Sequence, residues 1–183
     1  MTLLALDARL GGVVRSAREP MLAQLKLAWW RDRLSGDPAG WPTGEPLLAR
    51  LAGWGPAARE LVALVDGWEA LLGDTAIEEF PRGRAAAMSV LAGRFGADRA
   101  SAEAAGRRWG LAELALHRDD AQERGEAAGL LERAGKGRRP GPGMQPLAVL
   151  AGLSAFAVRK GKREALYGPG ALLRAVALGL ARR

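Results

Sequence analysis

Apolar residues recur three and four positions apart along most of this chain, the interval that lines side chains up on one face of an α-helix. The clearest stripe is Leu61, Val62, Leu64, Val65, Trp68, Leu71 and Leu72, which predicts a buried helix face. Leu22, Leu25 and Trp29 fall on one face of another helix, with Arg31, Asp32 and Arg33 at its wet end. Prolines mark the starts. Pro20, Pro46, Pro56, Pro146 and Pro169 each precede such a run, and a proline in the first turn gives up no intrahelical hydrogen bond. For the helix at Pro20, Glu19 puts negative charge at the positive helix end and Gly36 supplies a stop. The spacing predicts helices over Leu3–Arg15, Pro20–Leu34, Pro46–Ala52, Pro56–Leu72, Arg84–Phe95, Ala100–Arg118, Ala121–Ala134, Pro146–Lys160 and Pro169–Arg182. No alternating β-branched stretch suggests a strand. Two loops rich in Gly and Pro, Asp37–Glu45 and Gly135–Gln145, are too short to separate domains, and no repeat is evident. The expectation is one all-α domain over residues 1–183.

Charge changes this picture at one end. From Lys136 onward the cations Lys136, Arg138, Arg139, Arg159, Lys160, Lys162, Arg163, Arg174, Arg182 and Arg183 face Glu164 alone, a net of +9 against −2 for the residues before them. A basic terminal third suits an anionic membrane surface, a phosphorylated ligand or nucleic acid; a plain solvated face is the alternative. Nucleic acid is not expected as a partner, because no zinc finger, RNA-binding aromatic motif or recognition helix accompanies the charge. Cysteine is absent, which excludes disulfides, thiolate zinc sites and cysteine nucleophiles. His117 is the single histidine, so a histidine metal cluster or a Ser–His relay is implausible. A reducing, cytoplasmic setting fits. No apolar run reaches the roughly 18–20 residues of a membrane span, and Asp7 and Arg9 follow the first apolar residues too closely for a secretory signal. Met1–Leu6 reads instead as the middle of an amphipathic helix, which suggests a natural start upstream.

The segment Arg18-Glu19-Pro20-Met21-Leu22-Ala23-Gln24-Leu25-Lys26-Leu27-Ala28-Trp29-Trp30-Arg31-Asp32-Arg33-Leu34 carries a tryptophan pair, an expensive core filler because each indole N–H wants a partner. The segment resembles the helix that follows the first acidic motif in the squalene/phytoene synthase family. Leu64–Leu72, Ala104–Ala115 and Pro146–Ala151 resemble further helices of that family. The resemblance implies a helical bundle of the terpenoid/isoprenoid synthase type, N-terminally shortened. It also implies prenyl diphosphate chemistry, in which Mg²⁺ neutralises the departing diphosphate. Two D-x-x-x-D motifs on facing helices would hold the ions, since carboxylates four apart share a helix face.

Aligned on that resemblance, the first acidic pair falls on Gly11 and Gly12, and Asp7 nearby has no carboxylate four residues on. Glycine ligates nothing through a side chain and weakens a helix by about 1 kcal/mol. The second motif is partly matched by Arg118, Asp119 and Glu123, with Ala115 where the family has Asn. Asp119 and Glu123 are therefore the candidate metal ligands. Read without the resemblance, the same stretch is a charged interhelix turn in which Asp119 or Asp120 caps the next helix. Arg15, Arg18 and Arg118 are candidates for binding a diphosphate. Trp29, Trp68 and Trp109 are candidates to line an isoprenoid pocket, or else core residues. Two functional expectations follow. One is a catalytically degenerate relative that binds an isoprenoid, or acts at a membrane surface with a protein partner as the family's complex I assembly factors do. The other is an active, Mg²⁺-dependent prenyltransferase joining prenyl diphosphates head to head.

Overall fold

The structure is a computed structural model that describes residues 2–138, 140–141, 143–161, 163–166 and 169–180. Of the basic run, Arg139, Lys162, Arg182 and Arg183 lie outside the described residues, as does the expected helix end at Arg182. Among the described residues the chain forms nine α-helices and no strand: α1 Thr2–Ser16, α2 Pro20–Ser35, α3 Pro46–Ala52, α4 Val62–Ala70, α5 Ala76–Arg94, α6 Arg99–His117, α7 Ala121–Arg133, α8 Gln145–Lys160 and α9 Pro169–Leu180. No helix is long and apolar enough to cross a membrane.

Most boundaries fall where the prolines and caps put them. Asp98 accepts from the Ala100 N–H at 3.1 Å to open α6, and Asp120 accepts from the Glu123 N–H at 2.8 Å to open α7, so Asp120 is the capping carboxylate of that turn. Gly161, left-handed at φ 64°, closes α8. Two boundaries move. The stretch expected as one helix from Pro56 is a 3₁₀ segment, Gly55–Leu61, leading into α4. Helix α5, expected over Arg84–Phe95, starts earlier, at Ala76, and runs through Pro81, although a proline inside a helix removes an i→i−4 bond. Close packing keeps Pro81 in place: it is buried, and a Cβ on Gly110 of α6 would lie only 2.7 Å from its Cα.

Helices α4, α5 and α6 form the centre. Helix α6 packs on α5, α7 and α8, α1 and α2 close over α4, and α9 packs chiefly on α8. Glycine permits these approaches. A Cβ on Gly67 would meet Gly83 Cα at 3.2 Å, and one on Gly106 would meet the Arg84 carbonyl oxygen at 2.8 Å. Around this centre Leu3, Leu6, Leu10, Leu27, Trp30, Leu64, Val65, Trp68, Phe80 and Met88 make one apolar core.

Helix α2 turns a different face inward from the one its periodicity suggested. Ala23, Leu27, Trp30 and Leu34 are buried, whereas Leu25 is 62% exposed and Trp29 39%. Both faces of α2 are apolar, so spacing alone does not choose between them. Trp29 meets Trp30 edge to face, ring centroids 5.1 Å apart. The outer stripe Met21, Leu22, Leu25 and Trp29 is left facing solvent.

Candidate functional site

A charged cluster sits inside the apolar core. Asp7 follows Leu3 and Leu6 around α1 onto the inner face, and it is 5% exposed. Its Oδ1 accepts from Trp68 Nε1 at 2.9 Å and from Arg84 Nε at 3.1 Å, and its Oδ2 accepts from Arg84 Nη2 at 2.9 Å. The pair is bidentate, the strongest form of carboxylate–guanidinium contact. Arg84 is itself 2% exposed. Its guanidinium carbon lies 3.8 Å from the Trp109 ring centroid, 4.5 Å from that of Phe80 and 5.2 Å from that of Trp68. Aromatic faces and one carboxylate thus take the place of water around the cation. The third nitrogen, Nη1, has no hydrogen-bond partner among the described residues, with Glu113 Oε2 3.8 Å away.

This cluster occupies the ground where the resemblance placed the first acidic motif. Gly11, one turn after Asp7, faces inward, and a Cβ there would lie 2.7 Å from Trp68 Cη2. Gly12 points into open space. Sequence reasoning did not single out Arg84. Its signal was a lone charge in the run Gly83-Arg84-Ala85-Ala86-Ala87-Met88.

Beyond Trp68 the core opens into a cleft of about 480 Å³. Val14, Trp68, Leu71, Phe80 and Leu114 give it an apolar floor, and Arg15, Glu113, His117, Arg118 and Asp119 its polar edge. Four of the expected residues, Arg15, Trp68, Arg118 and Asp119, therefore come together here. Arg15 is exposed, its guanidinium 5.5 Å from the Trp68 ring centroid. Arg118 donates from Nε to Glu123 and from Nη1 to the Leu71 carbonyl at 3.1 Å. The bond to Glu123 holds Arg118 above its ordinary pKa, partly opposed by burial. Its Nη2 stays uncommitted among the described residues. His117 Nδ1 lies 3.1 Å from the Glu113 carbonyl, an acceptor only, so this nitrogen carries the proton and His117 finishes α6.

The other candidates lie apart. Trp109 is buried against Arg84, behind the cleft floor. Arg18 is exposed on the link between α1 and α2. Trp29 borders a separate open groove with Gly12, Lys26 and Glu45.

Magnesium asks for several hard oxygen ligands around one point. Glu123 is engaged by Arg118, Asp119 is exposed, and Asp7 is neutralised by Arg84. Among the described residues no three His, Cys, Asp or Glu side chains converge as a metal site would require. These residues do not fit a magnesium clamp. The arrangement offers instead an apolar trough whose mouth carries two guanidinium groups, Arg15 and Arg118, beside Glu113, His117 and Asp119. No family model, curated protein or solved structure matches the chain.

Proposed function

We propose that the chain is a catalytically degenerate relative of the squalene/phytoene synthases, which holds an isoprenoid-type ligand in the cleft beside Trp68 without condensing it. The ligand class is an apolar chain with an anionic end, such as a prenyl diphosphate. One observation carries the reading: Asp7, the acidic residue nearest the expected first clamp, is bound up by Arg84 and Trp68, and Gly11 beside it has no room for a side chain. The cleft supports the binding half of the reading. Its floor is apolar, and Arg15 and Arg118 stand where an anionic end would emerge.

Titration with farnesyl diphosphate in the absence of metal, followed by tryptophan fluorescence, tests this. Saturable binding is expected, weakened about tenfold by Arg15→Gln, the scale of one lost hydrogen bond to a charged group, and unchanged by Arg18→Gln. Equal weakening by both substitutions, or no binding, would overturn it.

A further inference from the structure

A second cavity, of about 390 Å³, opens where α6 faces α8. Five cations line it: Arg108 from α6, Lys136 and Arg138 from the link between α7 and α8, Arg159 from α8 and Arg174 from α9. Among the described residues no carboxylate lines it. Among the described residues none of the five is in an ion pair. Asp98 lies near enough to feel Arg138, but its carboxylate is turned to the Ala100 N–H and the Ser101 hydroxyl.

The cavity is built, unlike a solvated basic face with its side chains in water. Nε and Nη1 of Arg108 and Nε of Arg174 are shielded from solvent and have no hydrogen-bond partner among the described residues. Buried donors without acceptors are rare in folded proteins and call for an explanation. Burial, and then the charge of Arg159, push Arg108 below its ordinary pKa, so the site is electrostatically uphill as it stands. Packing holds it in shape all the same. The chain crosses Arg108 at Gly137, at φ +62°, where a Cβ would lie 3.3 Å from Arg108 Nη1. Gly152 lets Leu178 of α9 close onto α8, and Arg174 stacks 5.4 Å from the Phe156 ring centroid.

We propose that this cavity binds a multiply charged phosphate-type anion, a phosphomonoester or pyrophosphate, with Arg108 as its deep donor and Arg159 and Arg174 closing from the opposite helices. Guanidinium forks match phosphate oxygens two at a time, and a multiply charged anion supplies the acceptors that the buried nitrogens lack. The phosphate has two possible sources, a soluble compound or a lipid headgroup. The second has a physical basis, because Leu172, Leu173 and Val176 stand exposed on α9 around Arg174. The proposal is independent of the cleft: Arg15→Gln leaves this site intact, and Arg108→Gln leaves the cleft intact.

The test is calorimetric titration of the whole chain with inorganic pyrophosphate, and co-flotation with phosphatidylcholine vesicles carrying either phosphatidic acid or phosphatidylserine. Pyrophosphate should bind saturably and more weakly as salt rises. Arg159→Gln, an exposed change that leaves the fold alone, should weaken binding about tenfold, and Arg108→Gln at least as much. Arg50→Gln, which removes the same charge from α3, should change nothing. Preferential flotation with phosphatidic acid, lost in Arg159→Gln, identifies a lipid source. Pyrophosphate binding without flotation identifies a soluble one. Neither pyrophosphate binding nor flotation, or equal losses in Arg159→Gln and Arg50→Gln, would overturn the proposal.

Discussion

Asp7 and Arg84 pose the sharpest energetic question at the scale of single residues. Each charge loses several kcal/mol of hydration when buried, and their attraction repays it only if the geometry is good and the remaining polar atoms are satisfied. Here the geometry is bidentate and three aromatic rings surround the cation. The pair is therefore asymmetric to mutation. Asp7→Ala strands a buried guanidinium and should cost about 3–5 kcal/mol in urea unfolding, far more than the about 0.5 kcal/mol of an ordinary surface change. The adjacent glycines make an equally direct comparison. Gly11→Asp drives a Cβ to within 2.7 Å of Trp68 Cη2 and should cost about 1–3 kcal/mol from overpacking alone. A Cβ on Gly12 would meet nothing within 4 Å, so Gly12→Asp should hardly move the unfolding midpoint. That glycines stand at 11 and 12, where the resemblance would put carboxylates, was legible in the sequence. The buried pair beside them was not, because Asp7 and Arg84 are 77 residues apart and no local pattern reports a contact over that distance.

Among the elements, α4, α5 and α6 are held together by what their glycines leave out. A Cβ on Gly110 would lie 2.7 Å from Pro81 Cα, a backbone atom that cannot rotate away. Gly110→Ala should consequently lower the melting temperature, overpacking by about 1–3 kcal/mol outweighing the gain of up to about 1 kcal/mol in helix propensity. Gly125→Ala, in α7 with nothing within 4 Å, should gain about 0.5–1 kcal/mol instead. Helix type and number were readable because the chain is punctuated by prolines and by Asp caps, and these act locally. What escaped was decided by tertiary contact. Pro81 stays helical because Gly110 receives it, and α2 buries Trp30 in place of Trp29 because both of its faces are apolar. Periodicity identifies a helix; it does not say which of two greasy faces meets the core.

At the scale of the whole molecule, α6 serves both candidate sites. Trp109 and Glu113 look toward Arg84 and the cleft, while Ala105 and Arg108 line the basic cavity. The uneven charge of the sequence, concentrated after residue 135, is thereby resolved in part into a cavity: Arg108, on α6, precedes the basic run and completes it. The cleft joins an apolar floor to a polar edge that carries Arg15 and Arg118, while Glu123 and Asp7 are bound by Arg118 and Arg84. The central claim is that this scaffold binds a prenyl-type ligand and leaves it unchanged. Incubation with farnesyl diphosphate and Mg²⁺, followed by extraction and identification of the products, tests it most directly. The account predicts that the farnesyl diphosphate is recovered intact. A head-to-head condensation product whose formation disappears in Asp119→Ala would contradict it.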